Sequence, residues 1–229
     1  LPPYLGASRI RHMPLDSHRD PIHTAERAAH IRAALAAEYP DADCELNFSN
    51  ALELLIATVL SAQCTDERVN QVTPHLFATY PTAPDYAAAD RAELESILRP
   101  LGFQRAKAGH LIGIGEKLVG EFDGQVPRGI DELTSLPGVG RKTALVVRGN
   151  AFGLPGITVD THVTRLSQRL GLTAAKTPRA IERDVAKLVP EAEQTVFSHR
   201  VILHGRRVCT ARSPRCGACV LAPWCPSRS

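Results

Sequence analysis

The sequence predicts an all-α fold of many short helices, and three observations carry that expectation. Apolar residues recur at helical spacing in segment after segment, and no stretch shows the alternation of a half-buried strand. Capping residues stand in front of several of these segments. Prolines and glycines, 17 and 16 of the 229 residues, fall largely between them as turns.

The elements follow in chain order. Residues 24–38 are alanine-rich behind a capping threonine. Asn50 is placed to cap Ala51–Leu60, which is apolar almost all round, as a centrally buried helix is. Residues 66–77 form a shorter candidate ended by Tyr80-Pro81, and 91–98 another, stopped by Pro100 and Gly102. Residues 105–122 carry Leu111, Ile112, Leu118, Val119 and Phe122 at helical spacing. Helices over 130–136 and 142–152 flank the turn Pro137-Gly138-Val139-Gly140. Segments 163–170, 179–189 and 193–204 complete the set. Residues 1–22, with several prolines and no apolar core of signal length, read as a flexible leader.

No run of 18 apolar residues occurs, and the longest, Ala51–Leu60, is interrupted by Glu53, so a membrane span is excluded. Without an export signal the expected location is cytoplasmic. The net charge of +3 permits a nucleic-acid partner without requiring one. It is also unevenly spread. After Glu193 the chain has six arginines and no acid, which leaves −3 on the rest. Arginine outnumbers lysine 22 to 5, so any lysine is conspicuous.

Leu136-Pro137-Gly138-Val139-Gly140-Arg141-Lys142-Thr143-Ala144 is a helix end, a tight glycine turn and a second helix start. Converging N–H groups at such a turn suit an anion such as a phosphate. The competing reading is an ordinary corner between two helices. Lys142, directly after the turn, is either a surface cation or a nucleophile. A nucleophilic lysine must shed its proton, and the ordinary lysine pKa of about 10.4 stands in the way. Partial burial, Arg141 next door and the positive end of the helix would all work against the ammonium. A neutral amine there can attack a sugar carbon and form a Schiff base.

Eighteen residues on, Asp160 opens Val159-Asp160-Thr161-His162-Val163. It can cap the following helix. A cap is held rigidly, so the same carboxylate can also face Lys142 and stabilise positive charge developing on a sugar. The last segment carries Cys209, Cys216, Cys219 and Cys225, with six, two and five residues between them. Four clustered thiols without an export signal point to a metal centre before disulfides. Zinc ribbons use two C-x2-C pairs and this loop has one; four thiolates equally suit a [4Fe–4S] cluster. Cys44 and Cys64 lie outside the group and read as buried thiols.

The hairpin string, Val159–Val163, the segments 45–48, 54–56, 60–66 and 202–206, and the cysteine loop together resemble the endonuclease III family from about Thr24 to Cys225. The resemblance implies a two-lobed helix–hairpin–helix fold. A six-helix barrel would span 44–154, a cluster lobe would combine 24–43 with 155–229, and a DNA cleft would lie between them. It implies a [4Fe–4S] cluster on the four cysteines, with Lys142 as nucleophile and Asp160 as its carboxylate. Gln63 would fill the hole left by an extruded nucleotide. Residues 101–104 would form a second intercalating loop, with Phe103 where the family often has leucine, beside Gln104. Gly138, Gly140, Arg141 and His162 would also meet DNA. Thr134 stands where the family usually has an acidic residue. The implied activity is removal of oxidised pyrimidines from double-stranded DNA, followed by β-elimination at the abasic site, by a monomer associated with the nucleoid.

Two rivals share the fold: adenine- and thymine-mismatch glycosylases. The adenine enzymes usually carry a small polar residue at the position of Lys142. A third reading, from a different class, is a DNA-binding iron–sulfur protein without catalysis, which would keep the hairpin and the cysteines without the Lys142–Asp160 pair. A redox-sensing metal regulator is a fourth.

Overall fold

The computed structural model describes residues 21–228. The described residues contain α-helices, short 3-10 turns and loops, and no strand. The helices are α1 (Pro21–Glu38), α2 (Ala51–Leu60), α3 (Asp66–Thr79), α4 (Ala83–Ala87), α5 (Arg91–Leu98), α6 (Gln104–Glu121), α7 (Ile130–Thr134), α8 (Arg141–Phe152), α9 (Thr161–Arg169), α10 (Pro178–Ala186) and α11 (Gln194–Arg207). Residues 1–20 of the expected leader lie outside the described part. Its last two residues do not: Pro21 and Ile22 are already helical, because a proline without an N–H is well suited to the first turn.

Several starts are set by side-chain caps that the sequence announces. Asn50 Oδ1 accepts from the N–H of Glu53 at 3.0 Å, Asp90 Oδ1 from Glu93 at 2.8 Å, and Asp160 Oδ1 from Val163 at 2.8 Å. The sequence did not announce α4. It forms because Thr82 and Asp85 close a capping box, and because Gly115 on α6 lets the two helices touch. A Cβ on Gly115 would sit 2.4 Å from the Ala87 nitrogen. Residues 187–189 leave α10 because Gln194 takes the carbonyls of Ala186 and Val189 with its amide. At the other end α11 runs three residues beyond the expected 204.

Two hydrophobic clusters hold these helices. One draws its buried residues from 46–147, with α2, buried from Leu54 to Leu60, at its centre. The other draws on α1 and residues 157–221. Close contacts stitch them together: Gly149 on α8 lies against the Thr195 side chain of α11, and Arg141 on α8 pairs with Glu182 on α10.

Candidate active site and cluster loop

The glycine hairpin is anchored from below. Leu136 and Val139 are buried in the first cluster, and Pro137 rests on Gly113 of α6. The two glycines differ in what they do. Gly138 has φ +74°, and a Cβ there would meet the His110 ring at 2.6 Å, so the fold itself needs glycine. Gly140 has φ −89°, and a Cβ there would meet nothing within 4 Å. As the N-cap of α8 it offers no side chain to the first-turn N–H groups, which stay available to an outside acceptor.

Arg141 does not reach outward. Its guanidinium makes two 2.7 Å hydrogen bonds to Glu182, and that partner raises its pKa further. Lys142 is exposed rather than partly buried, because it stands at the mouth of the cleft on the first turn of α8. Across from it Asp160 caps α9, and the two residues line one cavity of about 100 Å³. That cavity lies at the seam of the two cores: Leu46 belongs to the first cluster, while Ile202 and Leu203 pack on the second. Thr134, on α7, is not among its walls.

The cavity also holds groups that the sequence reading passed over. Arg206 on α11 pairs with Glu45 and, at 3.5 Å, with Asp66 at the start of α3, which ties α11 to the other side of the seam. Residue His199 lines the same wall and holds Asn150 Oδ1 at 2.8 Å through Nε2; burial lowers its pKa. Cys44, half-buried, is another wall residue, and burial pushes its thiol up. His162 is not among the residues that line the cavity. Its Nδ1 lies 3.1 Å from Arg165, it packs against Gly205, and burial lowers its pKa.

Gln63 and Phe103 share a conformation that side chains avoid. Their φ values are +56° and +51°, and both are exposed, Phe103 by 63%. A non-glycine residue in this region costs about 1–2 kcal/mol, a strain that tends to gather at functional sites. Gln104, partly buried, begins α6 directly after Phe103. These turns belong to neighbouring elements, since α3 packs on the 99–101 turn.

The cysteine loop closes round a second cavity of about 120 Å³, walled by Cys209, Cys216, Cys219 and Cys225. Among the described residues no group of three His, Cys, Asp or Glu side chains gathers tightly enough for a single ion. The four cysteines line one space, and four thiolates are a donor set that suits a [4Fe–4S] cluster. Arg169 on α9 donates to the Cys209 sulfur at 3.3 Å and to the carbonyls of Thr210 and Ala211. Arg165 holds the Cys209 carbonyl. Thus α9 carries Asp160 at one end and clamps the cysteine loop at the other. His204 is buried beneath, with Nε2 3.3 Å from the Cys219 sulfur and Nδ1 3.1 Å from the Tyr39 hydroxyl. Burial lowers its pKa to about 4, so it is neutral. With a thiolate as acceptor, Nε2 carries the proton and Nδ1 accepts from Tyr39. Burial pushes the Cys219 and Cys225 thiols up, a cost that binding to iron as thiolates offsets. Of the six late arginines, Arg212, Arg215 and Arg228 are exposed around this loop.

Residues 56–191 match the model of the HhH-GPD superfamily base excision DNA repair proteins, and 209–225 match the iron–sulfur binding domain of endonuclease III. Endonuclease III of Synechocystis sp. is 55% identical over 203 residues, covering 88% of this chain and 93% of that one. The Bacillus subtilis enzyme is 45% identical over 188 residues, covering 82% and 86%. A solved structure of a trapped endonuclease III–DNA covalent intermediate superposes with a TM-score of 0.83 at 45% identity, covering 89% of this chain and 96% of that one. No helix among the described residues is long and apolar enough to cross a membrane. The chain belongs to the endonuclease III family of base excision DNA repair glycosylase/lyases and has that family's [4Fe–4S]-binding loop.

Proposed function

We propose that this protein excises oxidised pyrimidines from double-stranded DNA and nicks the resulting abasic site, with Lys142 as nucleophile and Asp160 as its carboxylate. One observation carries the assignment: residues 18 apart in sequence line the same cavity, at the seam of two cores and beside an uncapped hairpin. The exposure of Lys142 suits this role, since the amine must meet a nucleotide that leaves the duplex. Bound DNA would lay a backbone phosphate on the N–H groups after Gly140 and bring the extruded sugar to Lys142. The neutral amine attacks C1′ while the C1′–N bond breaks, and the base leaves with the bonding electrons and takes up a proton. Asp160, fixed by its cap, stabilises the positive charge on the sugar and accepts the proton from the attacking amine. The sugar ring opens as the C1′=N Schiff base forms. Loss of a C2′ proton then expels the 3′ phosphate, and water releases Lys142.

Cys209, Cys216, Cys219 and Cys225 would hold the [4Fe–4S] cluster, which supplies a covalent tie for a loop with little core of its own. The exposed arginines of that loop would lie along the DNA backbone. We further propose that the two hydrophobic clusters correspond to the barrel lobe and the cluster lobe, and that a monomer does this work on the nucleoid.

Borohydride reduction in the presence of abasic-site duplex tests the nucleophile. The unaltered protein should form a covalent adduct, and Lys142→Gln should form none while retaining DNA binding. An adduct that survives the substitution would sink the assignment.

A further inference from the structure

Lys107 is the one lysine that the fold buries almost completely, at 4% exposure, among the described residues. It lies on α6 one turn after Phe103, whose carbonyl accepts its N–H at 3.0 Å. The side chain turns under the loop, and Nζ donates to the Leu101 carbonyl at 3.2 Å. Leu101 ends the 3-10 turn that leads into Gly102 and Phe103, at φ +68° and +51°. Holding that carbonyl fixes the Leu101–Gly102 peptide plane, which sets the direction in which Phe103 leaves the surface. Burial lowers the pKa of this ammonium, and Cys64 opposes that shift electrostatically. Cys64 follows Gln63, the second residue held at positive φ.

A buried ammonium is expensive, and a methionine would fill the same volume without that cost. No ion pair with Lys107 is formed among the described residues. Its bond to the Leu101 carbonyl, at the base of the Phe103 loop, accounts for its presence.

We propose that Lys107 is a positioning residue for base extrusion: locked on the Leu101 carbonyl, its ammonium holds Phe103 as a preformed wedge. This rests on the reading of Phe103 as a group that enters the duplex. Ordering the loops during folding removes a cost that would otherwise fall on insertion. The effect therefore appears only where there are stacked bases to displace.

The test uses the cluster-containing protein and two abasic-site DNAs, one fully paired and one lacking the nucleotide that faces the lesion. Single-turnover borohydride trapping measures the rate on each, and 2-aminopurine opposite the abasic site reports insertion in the paired duplex. Lys107→Met should trap about tenfold more slowly on paired DNA and within about twofold of the unaltered protein on gapped DNA, with the fluorescence change lost. If that variant does not fold, Lys107→Arg, which keeps the charge and moves the donors, carries the same comparison with a smaller loss in the same sense. Equal losses on both DNAs, or no loss on either, would overturn the proposal. Failure of the unaltered protein to trap on both DNAs would instead refute the Lys142 assignment, which separates the two ideas.

Discussion

The two hairpin glycines should fail in opposite ways when substituted. Gly138→Ala places a Cβ at φ +74°, which costs about 1–2 kcal/mol. The same Cβ meets the His110 ring at 2.6 Å, and relieving such overpacking typically costs about 1–3 kcal/mol. The combined loss is about 2–5 kcal/mol. At about 2–4 °C per kcal/mol for a chain of this size, the melting temperature falls by roughly 4–20 °C. Gly140→Ser meets none of this, because φ is −89° and the Cβ position is open. Serine is a good N-cap, so stability should hold or rise by up to about 1 kcal/mol. Its hydroxyl would occupy the first-turn N–H groups and the space above them. Losing one charge-assisted hydrogen bond to phosphate, about 1.5–3 kcal/mol, weakens binding by about ten- to a hundredfold. Urea denaturation gives the stabilities. Fluorescence anisotropy on a duplex with an uncleavable abasic analogue gives the affinities. Gly140→Ser that binds such DNA as tightly as the unaltered protein would refute the hairpin as a phosphate site.

Two further outcomes follow from the site geometry. Glu182→Gln should free Arg141 from its carboxylate, tighten DNA binding at low salt and steepen the salt dependence by about one unit, read by anisotropy from 50 to 200 mM salt. His199, lowered by burial despite Asp43 and Glu45 nearby, binds a proton more readily unfolded than folded. Its share of stability is thus complete above the unfolded pKa of about 6.5 and is lost as pH falls toward the lower folded value. Urea denaturation at pH 7.5 and 5.5 should show a loss on acidification that is smaller in His199→Gln, with His162 and His204 supplying the remainder in both proteins.

Much of this was readable in the chain. The apolar repeat of Ala51–Leu60 and the cap at Asn50 are local patterns, and local patterns fix local structure. The cap at Asp160 and the dense cysteine spacing are local in the same way. α4 escaped because five residues carry too little periodicity. Its existence depends on a glycine about thirty residues later, Gly115, that lets α6 approach. The end of α10 shifted for a similar reason, since Gln194 settles it by reaching back to the carbonyls of Ala186 and Val189.

For the site, the sequence alone determined the reactive types: a lysine after a glycine turn, an aspartate opening a helix, four thiols in a short loop. Only the tertiary structure decided which of these meet and which are already engaged. It sets Lys142 and Asp160 on one cavity, commits Arg141 to Glu182, and packs His162 against Arg165 outside that lining. It also seats His204 on a cysteine sulfur and buries Lys107 against the strained turn that carries Phe103. The physical reason is that spacing along a helix fixes a side chain's face, whereas its partner is set by packing between helices far apart in the chain. An arginine-rich sequence makes each lysine conspicuous, yet Lys107 and Lys142 look alike there. What separates them is burial, one sealed beneath the Phe103 loop and the other exposed beside the cavity that it shares with Asp160.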